Sequence, residues 1–130
     1  MVYLFVSWTV KTHVDFDDEF KAFPEDVQDS ILGKALFIEE IGHRLGRPHV
    51  DTLKGSKHPN MKELRLDVKG GVWRVAFAFD PKREAILLIA GDKAGQSQKR
   101  FYKTLIKKAD QRFDDHLNYC LLYTSPSPRD

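Results

Sequence analysis

Apolar side chains alternate with polar ones over the first ten residues. Val2, Leu4, Val6, Trp8 and Val10 recur at every second position, as in a strand with one buried face. Beyond Val10 the period lengthens. Asp15 is placed to cap a short helix that carries Phe16, Phe20 and Phe23 on one side, and Asp17, Asp18 and Glu19 suit the positive end of its dipole. Pro24 is a favoured first-turn residue. The helix it opens spaces Val27, Ile31, Ala35, Ile38 and Leu45 at helical steps until Gly46-Arg47-Pro48 stops it. Two amphipathic helices with a short link predict a helical hairpin lying on a sheet.

After a loop from Gly46 to about Lys62, the stretch KELRLDVKGGVWRVAFAFDPKREAILLIAGD reads as three strands joined by turns. Gly70-Gly71 is the expected two-residue hairpin turn, because glycine tolerates positive φ. That turn pairs Val68 with Trp73, Leu66 with Val75 and Leu64 with Phe77, so the large apolar side chains share one face. Arg65, Asp67 and Arg74 then share the other, with Asp67 directly across from Arg74. Asp80-Pro81-Lys82-Arg83 has type I turn chemistry, and Ala85 to Ala90 is continuously apolar, as in a central strand covered on both sides. A last helix is predicted from about Gln98 to Tyr119, with Phe101, Leu105, Ala109, Phe113 and Leu117 on its buried stripe. The order β, α, α, β, β, β, α predicts an α+β fold: two N-terminal helices and a C-terminal helix packed on a small, mostly antiparallel sheet. One domain over residues 1–119 accounts for the pattern. The end, CLLYTSPSPRD, breaks it and resembles the translation of a transposase adapter, so residues 120–130 are expected to be a non-native or disordered tail.

Charge changes this picture. The formal net charge is only +2, but residues 1–43 carry −6, residues 44–108 carry +10 and residues 109–130 carry −2. A basic middle third is the electrostatic footprint of a polyanion, most often nucleic acid. The segment GRPHVDTLKGSKHPNMKELRL alone holds five Lys or Arg residues. The single cysteine, Cys120, permits no intrachain disulfide, which suits a reducing cytoplasm, and no apolar run approaches the length of a membrane span.

Most catalytic chemistries lack their parts. The five histidines show no helical metal spacing, Gly91-Asp92-Lys93-Ala94-Gly95 is too short for a phosphate-binding P-loop, and there is no nucleophile elbow. No metal or other cofactor is therefore expected. What remains is the cationic set Lys54, Lys57, Lys62, Arg65, Arg74, Lys93, Lys99 and Arg100, joined by Tyr102. Such a set could hold a phosphodiester, because arginine's planar fork matches two phosphate oxygens and lysine adds a mobile point charge. Metal-free RNA cleavage would need a base for a ribose 2′-hydroxyl, cations for the charge on phosphorus and an acid for the departing 5′-oxygen. Lysine or tyrosine could be the base only if neighbouring positive charge lowered its pKa.

The blocks GRPHVDTLKGSKHPNMKELR, WRVAFAFDPKREAILLIAGDK and KRFYKTLIKKADQRFDDHL together resemble the RelE/ParE superfamily toxins of bacterial toxin–antitoxin modules, in the HigB-like branch related to phage-derived host-killing proteins. The resemblance covers about residues 8 to 117. It implies a RelE-like fold and a metal-independent endoribonuclease that cuts mRNA, typically in the A site of the small ribosomal subunit. It also implies neutralisation by a HigA-like antitoxin with a helix-turn-helix domain. It assigns catalytic roles to Arg65 and Arg74 as phosphate-binding arginines, Lys54 as base or phosphate clamp, Lys93, and Tyr102 as a stacking or proton-transfer group. Lys57, Lys62, Lys99 and Arg100 are left to bind RNA. ParE-type relatives poison DNA gyrase without cutting RNA, and a non-catalytic RNA-binding module would need the same cations; both stay open at this point.

Overall fold

The computed structural model describes residues 8–124. Its elements are β1 (Thr9–Thr12), α1 (Val14–Phe20), α2 (Glu25–Ile41), a 3-10 turn (Gly42–Arg44), β2 (Val50–Thr52), β3 (Met61–Val68), β4 (Gly71–Phe79), β5 (Glu84–Asp92) and α3 (Gln98–Thr124). The predicted α+β class holds. The sheet order is β1-β5-β4-β3-β2; β1 runs parallel to β5, and every other pair is antiparallel.

Strand alternation builds two cores. Leu64, Leu66, Val75, Phe77 and Leu87 meet Phe16 of α1 and Val27, Ile31 and Ile38 of α2 on one face. Met61, Ala76, Ala78, Ile86 and Leu88 meet Phe101, Leu105, Ala109 and Phe113 of α3 on the other. Ala76 and Ala78 keep the second face shallow enough for the α3 phenylalanines to approach. The sheet is thus covered on both sides, as the continuously apolar run from Ala85 to Ala90 predicts, with α3 on the face that carries Arg65 and Arg74.

Several local expectations change. Val2, Leu4 and Val6 lie outside the described residues. His13, not Asp15, caps α1, its Nδ1 accepting from the Asp15 amide at 3.1 Å. Helix α2 ends at Ile41, four residues before the expected stop, because Gly42 adopts φ +70° with the Trp8 ring pressed against it; a Cβ there would lie 1.9 Å from Trp8 Nε1. A short strand, β2, forms inside the segment expected to be loop. Helix α3 continues five residues past Tyr119 to Thr124.

The hairpin register differs by two residues. Val68 pairs with Gly71, so Lys69-Gly70 is the turn, and only Gly70 takes positive φ, +80°. A two-residue shift keeps every side chain on its expected face. It nevertheless exchanges partners: Arg65, not Asp67, lies directly across from Arg74.

Candidate nucleic-acid site

Three elements place cations around one groove. β3 contributes Glu63 and Arg65, the segment following β2 contributes Lys54, and the loop before α3 contributes Lys93, facing Tyr102 and Gln98 from the first turns of α3. The groove encloses about 300 Å³, the lower end of small-ligand sites. Each wall is fixed locally. Asp92 Oδ1 accepts from the amides of Val72 and Ala94, both at 2.9 Å, and the Lys93 amide donates to the Val72 carbonyl at 2.9 Å. The basic loop is tied to α3 by Ser56 and the Lys57 amide on Asp110, and by His58 on Asp114 at 2.8 Å. His58 is therefore a loop anchor.

Arg74 lies just behind this groove, with 4% of its surface exposed, and Glu63 beside it has 7%. Two arginines directly opposed on neighbouring strands repel. The flanking acids offset this: Glu63 Oε1 is 3.7 Å from Arg74 Nε, and Asp67 Oδ1 is 4.0 Å from Arg74 Nη1. Arg74 Nη1 also donates to the Trp73 carbonyl at 3.0 Å, whereas buried Nε has no hydrogen-bond partner among the described residues. Tyr102 donates its hydroxyl proton to Glu63 at 2.7 Å, and Lys93 Nζ lies 5.5 Å from the centre of the Tyr102 ring.

This arrangement separates the two candidate bases. Burial, followed by the charge of Arg74 and, more weakly, that of Arg65, lowers the Lys93 pKa below the ordinary lysine value, against the opposing carboxylates of Glu63 and Asp67. Tyr102 moves the other way. Burial and its bond to Glu63 raise the phenol, outweighing Arg74, so Tyr102 stays protonated.

Five of the expected residues, Lys54, Arg65, Arg74, Lys93 and Tyr102, thus converge. Four do not. Lys57 pairs with Asp114 on α3, which raises its pKa. Strand alternation puts Lys62 on the Leu64 face, away from Arg65. Lys99 and Arg100 are exposed in the first turn of α3 and do not line the groove. Glu63 was missed, although the two-residue spacing from Arg65 already put it on the same face. The only triad of metal-ligand type among the described residues, Asp80, His116 and Cys120, lies outside this groove, with ligand atoms within 4.8 Å of one another.

The family model described as Phage derived protein Gp49-like matches residues 18–114. The chain belongs to the Phage derived protein Gp49-like family. It is 52% identical over 81 residues to the candidate toxin HigB2 of Mycobacterium tuberculosis, covering 62% of this chain and 40% of that one. It is 47% identical over 98 residues to the candidate toxin HigB3 of the same organism, covering 75% of this chain and 83% of that one. The fold is that of RelE. A mutant of Escherichia coli RelE in the free state superimposes with TM-score 0.54 at 9% identity, over 79% of this chain and 97% of that one. RelE-type toxin–antitoxin complex RelBE2 from M. tuberculosis gives a matching chain with TM-score 0.52 at 14% identity, over 70% and 97%. This Gp49-like chain is accordingly similar in sequence to the candidate HigB toxins and carries the fold of RelE. Among its described residues no helix is long and apolar enough to cross a membrane.

Proposed function

We propose that the protein is the toxin of a toxin–antitoxin pair, cuts mRNA as a metal-independent endoribonuclease on the translating ribosome, and is held inactive by a helix-turn-helix antitoxin. The observation that carries the reading is the groove itself: Lys54, Arg65 and Lys93 around Glu63 and Tyr102, with Arg74 buried behind. The kinship with two candidate HigB toxins supports the toxin role.

In this reading Lys93, whose lowered pKa favours the neutral amine, takes the proton of a ribose 2′-hydroxyl. The 2′-oxygen bonds to the adjacent phosphorus, the bond from phosphorus to the 5′-oxygen breaks, and Lys54 at the rim protonates that leaving oxygen. The products are a 2′,3′-cyclic phosphate and a 5′-hydroxyl. Arg65 and Arg74 stabilise the negative charge that builds on the phosphorane, which is worth most in a site with little water. Tyr102, kept protonated, stacks on a base and holds Glu63 in place.

The test is a labelled mRNA fragment incubated with ribosomes and protein, with the ends analysed. Cyclic phosphate ends are expected, and Arg65→Ala or Arg74→Ala is expected to slow cutting about 10²-fold or more while binding weakens less. Binding without cutting would favour a non-catalytic RNA-binding module, and gyrase inhibition without RNA binding would favour the ParE-like alternative.

A further inference from the structure

A second cationic pocket lies across the edge of β3 from the first. It encloses about 530 Å³ and is lined by Ser30 and Lys34 of α2, Arg47, Arg65, Asp67 and Arg74 among others. Four cations therefore face one carboxylate. β2 pairs with β3 only as far as Leu64, and the Arg65 amide still donates to the His49 carbonyl at 2.8 Å, so among the described residues β3 lacks a paired strand on this edge only past Arg65.

Three features distinguish this pocket from a solvated basic surface. Lys34 is the only basic residue in α2, a helix with five acidic side chains, and it points into the pocket. Its Nζ is held 2.7 Å from His49 Nδ1, which accepts from it, and the His49 ring stacks on Phe37 with centroids 4.9 Å apart. Arg47 is oriented by Asp51, donating through Nε at 3.0 Å and Nη2 at 2.6 Å, which leaves other N–H groups to serve a ligand. Arg74 lines it too: its Nη1 donates to the Trp73 carbonyl at 3.0 Å and lies 4.0 Å from Asp67 Oδ1, while its Nε faces Glu63 of the first groove at 3.7 Å.

Arg47 and Arg65 line both pockets. We infer that the second pocket binds the phosphodiester next to the one being cut, so that the RNA strand bends over the β3 edge with Arg65 between the two phosphates. This rests on the RNA-cutting reading above and adds to it a path for the strand and a second contact group, Lys34 with Arg47. Lys34 and Arg47 act here by binding, and neither takes part in the proton transfers.

The test uses a non-cleavable 2′-O-methyl hexanucleotide in which a neutral methylphosphonate is moved from linkage to linkage, with binding to the purified protein followed by fluorescence anisotropy. Wild type is expected to lose affinity at two neighbouring linkages. Lys34→Ala is expected to bind the unmodified RNA about five-fold more weakly, with the slope of log K against log salt smaller by about 0.7. It should then be indifferent to neutralisation at one of those two linkages and still sensitive at the other. Lys34→Arg should restore both. Wild-type binding by Lys34→Ala, or equal sensitivity to every linkage in both proteins, would overturn the second site. Lys93→Ala, which should not cut an unmodified RNA, tests the catalytic reading separately: cutting by that variant would remove the chemistry and leave the second phosphate contact intact. Failure of wild type to bind any of the RNAs would overturn both.

Discussion

The buried pair Glu63 and Arg74 offers the sharpest quantitative prediction. At 3.7 Å, two opposite charges at an effective dielectric constant of 20 attract by about 4 kcal/mol. Part of that is lost in any measurement, because neutralising Glu63 also relieves the cost of burying a carboxylate. Asp67, 4.0 Å from Arg74 but largely exposed, screens the remaining charge only weakly. A coupling of about 2 kcal/mol is therefore expected from a double-mutant cycle of Glu63→Gln, Arg74→Met and the double variant. The assay is urea unfolding with unchanged m-values, repeated at high salt, where a buried pair should keep most of its coupling. Each single variant is expected to lose more stability than the double variant's loss would apportion to it. A coupling below about 0.5 kcal/mol would mean that Glu63 is not what holds Arg74 against Arg65.

Three further outcomes follow from the same geometry. If Lys93 is the base, the rate should rise with pH through a limb below the ordinary lysine range, because the neutral amine is the active form. Arg74→Met should move that limb upward by removing a charge that depresses it, as pH–rate profiles on a pre-bound RNA would reveal. Asp110→Ala removes two hydrogen bonds that tie the basic loop to α3, at about 1–2 kcal/mol, and should speed amide exchange at Ser56 and Lys57 while leaving strands β3 to β5 protected. Arg112→Met removes a bidentate bond to Glu19 at 2.8 and 2.6 Å and the bond to the Leu88 carbonyl at 2.8 Å, a loss of about 2–3 kcal/mol by urea unfolding. Arg112 holds the Glu19 pKa below the usual carboxylate range, so this contribution is present above the ordinary carboxylate pKa and disappears as pH falls through the lowered one. The variant should lose that part of its acid sensitivity.

The α+β order, the long helices and the faces of β3 and β4 were legible because hydrophobic periodicity survives small errors of boundary. Val27, Ile31 and Ile38, and Phe101, Leu105 and Phe113, are buried as their spacing requires. What could not be read were choices made by long-range contacts. The end of α2 is set by Trp8 against Gly42, residues 34 apart in the chain. Strand β2 is short and polar and exists because β3 is beside it. The hairpin register is the instructive case. Pairing Asp67 with Arg74 satisfies charge locally, whereas the fold sets Arg65 opposite Arg74 and spends two flanking acids on the repulsion. Local rules are broken most readily where a site requires it, and the proposed cleavage site is where these two arginines converge. Counting cations likewise gathered too many: Lys57 belongs to Asp114 on α3, and Lys62 to the other face. The sequence marked Lys54, Arg65, Arg74, Lys93 and Tyr102; it could not mark Lys34, isolated in an acidic helix and brought to the β3 edge only by folding.

Primer extension on an mRNA translated in a purified bacterial system, comparing wild type with Arg65→Ala and Lys93→Ala, tests the central claim most directly. Discrete cuts within translated codons that require ribosomes and fade in both variants are expected. An mRNA left intact by a folded wild-type protein, or cuts of equal strength from all three, would contradict it.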